Sequence, residues 1–293
     1  MTAKRLFLFA GYDAHANVSD ALLFYLRELS RVGDIILTTD CDLTPDGIEK
    51  LGAISGIRHV QFGHHGEYDF GSYKRGFMWC ENSDIIKSYD WIYFVNDSVL
   101  GPTTDIRPIL ENLESKNTDV VGMFYATGQW VGTPENRVDD HIQSWFVGVK
   151  SNIATQKYFS EFMHNISRQE TKADIIMKYE VGFTKILRDH KCSIGAAYSS
   201  DMSHDLYRTP ALAIQNGVCF IKKSALKYMT PSELHENVNP ELLKIIQHEH
   251  LYKQKKYSTM RTIRLGKLRI LTLKRRVGTN KTRWFLFDIF PLI

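Results

Sequence analysis

Over the first hundred residues, apolar positions fall alternately into short continuous runs and into stripes of helical spacing. Arg5 to Ala10 is a strand-length run closed by Gly11, Tyr12 and Asp13. The polar group Asn17 to Asp20 offers capping residues. After it, Ala21, Leu22, Phe24, Tyr25, Leu26 and Leu29 form an apolar stripe that stops near Gly33. Asp34 to Thr39 predicts a second strand, ending in Asp40, and Thr44-Pro45-Asp46 opens a short helix with proline in its first turn. His59 to Phe62 predicts a third strand, Ser72 to Ile86 a helix, and Trp91 to Val95 a fourth strand. Strands and helices alternating across short joints predict an α/β fold with a doubly wound, Rossmann-type half.

The fourth strand carries the most chemistry at its end. Trp91 to Val95 runs straight into Asn96, Asp97 and Ser98, and then Gly101-Pro102. A continuous apolar run stopped by turn residues reads as a buried strand of a largely parallel sheet. In open α/β sheets the ligand sits beyond the carboxyl ends of such strands. A carboxylate there, flanked by small polar groups, suits a divalent ion shared with a diphosphate, because hard cations take oxygen ligands. Taken alone, the tripeptide is also an ordinary polar turn with a helix cap. There is no G-x-G-x-x-G, so a phosphate grip has to be built otherwise.

The second half is less regular. Val120 to Phe124 is strand-like. His141 to Phe146 alternates polar and apolar; as a strand it puts His141, Gln143 and Trp145 on one face and Ile142, Ser144 and Phe146 on the other. Its plainest reading is an edge strand with a satisfied histidine. Glu180 precedes an amphipathic run of Val181, Phe183, Ile186 and Leu187, where an acid opening a helix serves as a dipole partner. His64-His65 reads as a loop pair, since adjacent strand side chains point to opposite faces.

Hydrophobic content of 43% and charged content of 24% over 293 residues fit a globular protein with a substantial core. Cys41, Cys80, Cys192 and Cys219 lack C-x-x-C spacing and read as buried, reduced thiols of a cytosolic protein. No signal-type apolar segment follows Met1, and no apolar stretch approaches the length of a membrane span, so neither secretion nor spanning is expected. Charge is distributed unevenly. Twelve of the 37 Lys/Arg and one of the 33 Asp/Glu fall in Leu251 to Ile293, a local net charge of +11 that leaves −7 on the remainder. An acidic body with a basic tail is not a general nucleic-acid binder. The tail mixes its bases with Ile263, Leu265, Leu268, Ile270, Leu271 and Leu273 and closes on Trp284, Phe285, Phe287 and Phe290. Such a basic, amphipathic segment suits an anionic bilayer surface; the alternative is an element that packs its apolar residues on the body.

An ordered set of segments extends the strand-end motif. Glu67-Tyr-Asp-Phe-Gly-Ser-Tyr-Lys-Arg-Gly76 precedes it, and Gly128-Gln-Trp-Val-Gly132, His141 to Phe146, Tyr179-Glu-Val-Gly182 and Cys219-Phe-Ile-Lys222 follow. This set resembles the rhamnan synthesis protein F family, bacterial glycosyltransferases of polysaccharide and O-antigen assembly. The resemblance covers roughly residues 1 to 230, and it is specific in the D-F-G-S-Y-K and N-D-S-x-x-G-P segments. It implies a GT-A-like fold. Residues 1–250 would form the transferase domain, with a nucleotide-sugar-binding half (1–118) and an acceptor half (119–250), and 251–293 would be the tail.

The resemblance also implies roles. Asp97 stands where GT-A enzymes carry an acidic D-x-D-like motif, here with Asn96 in place of the first acid, and would contact a metal (Mg²⁺ or Mn²⁺) or the ribose. Tyr12, Asp13 and Asp40 would meet base and ribose. Asp69, Gly71, Ser72 and Lys74 would approach the diphosphate, with Asn96 and Ser98 beside it. Gln129 and Trp130 resemble the acceptor-facing loop, joined by His141, Gln143 and Ser144. Glu180 would be the base that deprotonates the acceptor, with Asp139, Asp140 and Asp174 as lesser candidates. Asp201 to Asp205 could add a late metal ligand through His204, whereas Cys219 to Lys222 reads as a packing element.

The chain is therefore expected to move a sugar, rhamnose from dTDP-rhamnose first, to a glycan or lipid-linked glycan at the inner face of the cytoplasmic membrane, with inversion. A UDP-hexose or galactofuranose donor is the nearest alternative. A catalytically silent nucleotide-sugar-binding partner or a peripheral membrane scaffold would be further ones. No nucleic-acid partner is expected.

Overall fold

The computed structural model describes residues 3–128, 138–201 and 206–249, together with strand residues 257–265, 268–276, 282–286 and 290–291. It comprises two compact units, Met1–Glu249 and His250–Ile293.

The first unit begins with β1 (Arg5–Gly11), α1 (Asp20–Ser30), β2 (Asp34–Thr39), α2 (Pro45–Gly52), β3 (Ile57–Phe62), α3 (Tyr68–Asn82) and β4 (Trp91–Asn96). Ser19 caps α1 by accepting the Leu22 N–H, and Thr44 caps α2 in the same way for Gly47, with Pro45 opening the helix. The helix that the sequence places at Ser72 to Ile86 starts four residues earlier, at Tyr68, and ends at Asn82. Tyr68 enters it through a left-handed backbone (φ 56°), a turn that hydrophobic periodicity does not register.

After β4 come β5 (Val99–Leu100), α4 (Arg107–Ser115), β6 (Val120–Ala126), β7 (His141–Ile142), β8 (Phe146–Lys150), α5 (Ser151–Ala154), α6 (Lys157–His164) and α7 (Lys172–Ile175). A π-helical turn, Ile176–Val181, joins α7 to α8 (Gly182–Asp189). The unit closes with β9 (Ile194–Ser200), α9 (Pro210–Gln215), β10 (Ile221–Lys222), α10 (Pro231–Asn237) and α11 (Pro240–His248).

The main sheet runs β3-β2-β1-β4-β8-β6-β7, with β9 on the other edge of β6. The first four strands are parallel, and β8 reverses direction against β4, from Trp91↔Lys150 to Val95↔Phe146. The Rossmann-type parallel half is the α/β arrangement that the alternation of strands and helices predicts, and an antiparallel extension continues it. The run His141 to Phe146 is not one strand, however. It pairs with β6 only at His141–Ile142, turns at Ser144–Trp145, and resumes as β8. The turn is held by side-chain bonds: Trp145 Nε1 donates to Gln143 Oε1 at 2.9 Å, and Tyr73 OH donates to Ser144 O at 3.0 Å.

Alternation along the central strands sorts two cores. Phe7, Phe9, Tyr93 and Val95 face one layer with α1 and α4; Leu6, Leu8, Ile92 and Phe94 face the other with α3, α6 and α8. The sheet is thus covered on both sides, which is why Trp91 to Val95 is apolar throughout.

The second unit is a four-stranded antiparallel meander of β11 (Tyr257–Leu265), β12 (Leu268–Arg276), β13 (Thr282–Leu286) and β14 (Phe290–Pro291). Its register joins Ile263 to Leu271, Leu271 to Leu286 and Leu273 to Trp284. The basic segment is therefore strand-forming, a property that its charge count does not convey.

Candidate active site

Parallel β1 and β4 end together, with Ala10 opposite Asn96, and the chain leaving them builds the site. Asp97 N–H donates to Ala10 O at 3.2 Å, and Asp97 Oδ2 accepts the Tyr12 N–H at 3.3 Å. These bonds tie the carboxylate to the first strand end. Lys223 Nζ lies 3.8 Å from the same oxygen. Burial raises the Asp97 carboxyl above its ordinary value, and Lys223 opposes the shift.

Asn96 is 2% exposed, and both ends of its amide are committed. Oδ1 accepts Ser98 Oγ–H at 2.6 Å and Ser98 N–H at 3.0 Å, while Nδ2 donates to Asp69 Oδ2 at 2.8 Å. Asp69, in the first turn of α3, is pushed up to about 7 by burial and then by the charge of Asp97. Lys222 arrives through β10, which pairs antiparallel with β5, and its Nζ donates to Ser98 Oγ at 2.9 Å. Four residues, from β10, from β4 with the turn that follows it, and from α3, thus meet in one chain of bonds, from Lys222 through Ser98 and Asn96 to Asp69.

Glu180 faces this group from the π-helical turn. The sequence suggests a helix-opening acid, but the helix starts earlier, at the Thr171–Asp174 capping box, so Glu180 lies within it. A π turn shifts side chains relative to an α-helix and recurs at functional sites. Glu180 Oε1 accepts the Ser144 N–H at 3.1 Å and stands 3.9 Å from His141 Nε2. His141 Nδ1 faces Asp139 O at 2.8 Å, which fixes the ring with Nε2 toward the carboxylate. Among the described residues Oε2 of Glu180 has no hydrogen-bond partner. A half-buried carboxylate with one oxygen anchored and one open can receive a proton.

Other expected site residues are placed differently. Asp40 accepts the N–H groups of His65 (2.6 Å) and Gly66 (3.0 Å), so it holds the loop after β3. Asp13 Oδ1 accepts from His15 and Asn17 as a turn former, whereas Tyr12 is exposed beyond β1. Ser72 is buried against His65 Nε2 at 3.0 Å, and Gly71 lies beneath the same ring, where a Cβ would come within 2.8 Å of it. Lys74 Nζ donates to Ile166 O at 2.8 Å. Gln143 is buried and spent on Trp145. Asp174 caps α7 and Asp140 Oδ1 accepts the Gly128 N–H, while Asp139 contributes its backbone carbonyl to His141. Gln129, Trp130, His204 and Asp205 lie outside the described residues. The structure thus gathers Asn96, Asp97, Ser98, Asp69, Ser144, His141 and Glu180, and adds Lys222 and Lys223. The sequence signals for Lys222 are its place in the Cys219–Lys222 segment and the short apolar run that it closes, which reads as packing.

Among the described residues no group of three or more His, Cys, Asp or Glu side chains could hold a metal by itself. The Asn96 oxygen is taken by Ser98, which leaves Asp97. One carboxylate completed by substrate phosphates is a usual way to bind Mg²⁺, so the residues fit a cation shared with a diphosphate.

The family model described as rhamnan synthesis protein F matches residues 35–281. An uncharacterized protein of Sinorhizobium fredii (strain NBRC 101917 / NGR234), y4gN, is 24% identical over 134 residues, which is 46% of this chain and 33% of that protein. The match thus spans a third of the relative's length. Similar solved structures include S. aureus TarS 1–349 (TM-score 0.40, 11% identity, 85% of this chain and 71% of that one). Core-mannan synthase A from Aspergillus fumigatus in its Mn/GDP form is another (TM-score 0.39, 8% identity, 69% and 73%). Likeness at this level is partial in layout and says nothing of substrate.

Proposed function

We propose that this chain, which belongs to the rhamnan synthesis protein F family, is a glycosyltransferase that moves a sugar from a nucleoside-diphosphate donor to a growing bacterial polysaccharide. The observation that carries this reading is that two carboxylates on different elements bear on the same buried pair, Asp69 and Lys222: Asp97 beyond β1 and β4, and Glu180 on the π turn. Transfer needs both ends. The donor diphosphate must leave with its charge neutralised, and the acceptor hydroxyl must lose a proton as it attacks.

Glu180 takes the proton on the oxygen that Ser144 does not hold. Asp97 stands at the donor end, anchored by the Tyr12 N–H, and would hold a divalent ion together with the diphosphate; bound there, the ion neutralises the departing phosphates. Exposed Tyr12 suits a nucleobase platform. We assign rhamnose as the first donor sugar, from dTDP-rhamnose, with inversion, since direct attack opposite the leaving group needs one base and no enzyme nucleophile. The acceptor is a glycan or lipid-linked glycan at the inner membrane face.

Transfer from dTDP-rhamnose and UDP-sugars to a polysaccharide fragment tests the reading, with Glu180→Gln and Asp97→Ala beside the wild type. Glu180→Gln is expected to keep donor affinity and lose about 10²–10⁴-fold in rate. Asp97→Ala should lose about 10²–10³-fold, the usual cost of removing one leaving-group contact. Undiminished transfer in both variants would overturn the assignment of the site.

A further inference from the structure

Lys222 is a buried charge that the scheme above leaves unused. It is 8% exposed, and its place is set by the backbone: Lys222 pairs with Val99, and Lys223 N–H donates to Ser98 O at 3.0 Å. An ammonium carries three N–H donors. Among the described residues one acceptor meets them, Ser98 Oγ at 2.9 Å. The other close neighbours are aromatic faces, Trp145 with its centroid 4.9 Å from Nζ and Tyr207 at 5.9 Å. A cation taken out of water and left with unmet donors is costly unless something else supplies acceptors.

The surrounding charges are mixed. Glu180, Asp69 and Asp97 favour the ionised amine and Lys172 opposes it, while burial, the largest influence, brings it down to about 8. The ammonium is also fixed. Ser98 cannot turn away, because its hydroxyl donates to Asn96 Oδ1, and the Asn96 amide is held in turn by Asp69. A fixed, under-satisfied cation beside Ser98, one residue past Asp97, faces the place where the donor's phosphates would lie.

We propose that Lys222 binds the diphosphate of the donor, giving its oxygens the N–H groups that Ser98 leaves free. This rests on the reading of the strand end at Asp97 as the donor site. In the transfer step the bond from the anomeric carbon to the diphosphate oxygen breaks, with the electron pair staying on that oxygen. The acceptor oxygen bonds to the carbon, its proton passes to Glu180, and Lys222 stabilises the charge left on the diphosphate. The ligand class is a nucleoside diphosphate; a nucleoside alone would not use this contact.

The test is calorimetric titration of the full chain at neutral pH with dTDP, UDP and thymidine, using wild type, Lys222→Met and Lys222→Arg. Lys222→Met is expected to weaken diphosphate binding roughly 10- to 100-fold, the range for a lost charge-assisted hydrogen bond, and to leave thymidine unchanged. Lys222→Arg should recover part of the loss. In the wild type, diphosphate affinity should fall as pH rises past about 8, where the free amine loses its proton, and thymidine affinity should not follow it.

If the wild type binds neither diphosphate, the strand end at Asp97 is not a donor site, and the proposed function falls with the inference. If it binds them and Lys222→Met binds them as well, Lys222 is only a counter-ion for Asp69 and Glu180, and the inference alone is overturned. An equal loss of thymidine and diphosphate affinity has the same meaning. Should Lys222→Met fail to fold by circular dichroism, Lys222→Arg and the wild-type pH series decide, and a flat pH response overturns the assignment.

Discussion

Asn96 shows how one side chain can set the character of a site. An aspartate there would press a second carboxylate against Asp69 Oδ2, now 2.8 Å from the Asn96 amide nitrogen, and would have no hydrogen to give. The amide instead satisfies Asp69 and turns its oxygen to Ser98. Asp69 still carries a cost. Its folded value of about 7 lies above the ordinary 3.8, so the folded chain holds this proton more tightly than the unfolded chain. Its stabilising contribution is full below the unfolded value and is lost as pH rises through about 7. Asp69→Asn should therefore melt higher than the wild type above about pH 7, with the gap closing or reversing toward pH 4. Thermal melts across pH measure this, and parallel curves would show that Asp69 titrates as an ordinary carboxyl. The sequence exposes Asn96 and Asp97 because an apolar strand ends on them. It gives no comparable signal for Lys222, whose partner Ser98 lies 124 residues away.

At the scale of elements, the strands were legible where burial on two faces makes them uniformly apolar, as in β1, β2 and β4. Legibility failed where local hydrogen bonds outweigh pattern. The alternation through His141 to Phe146 suggests a strand, but Gln143, Trp145 and Tyr73 make a turn of it. The π turn that aims Glu180 likewise leaves no periodic trace. The close contact of β8 with β4 offers a test of packing. A Cβ on Gly148 would fall 2.4 Å from Tyr93 Cε1, and that ring is fully buried with its hydroxyl donating to Glu114 at 2.7 Å. Gly148→Ala should cost about 1–3 kcal/mol in chemical denaturation, the usual penalty of overpacking. Gly52→Ala, with nothing within 4 Å of the new methyl, should be close to neutral. Equal stability of the two variants would mean that β8 shifts freely against β4.

For the whole molecule, the two units bear opposite charge, and the strands of the second unit were not foreseen because its bases mask the alternation of a sheet. The expected membrane role rests on the +11 balance of residues 251–293. Among the described residues no helix is long and apolar enough to cross a bilayer. Truncation after Tyr252 should leave a folded, nucleotide-binding body that no longer sediments with anionic liposomes. Full-length sedimentation should weaken as the Debye length falls from about 10 Å at 0.1 M salt to about 3 Å at 1 M. Loss of the folded body on truncation would assign the segment to its stability instead. The ladder from Trp91↔Lys150 to Val95↔Phe146 has a further consequence, for turnover. The parallel strands β1 to β4 and the extension begun by β8 are one continuous sheet, so parting them like two jaws would break backbone hydrogen bonds in a buried core. On the proposed reading, opening for substrate entry and nucleotide release would fall to the segments joining the strands rather than to a hinge within the sheet.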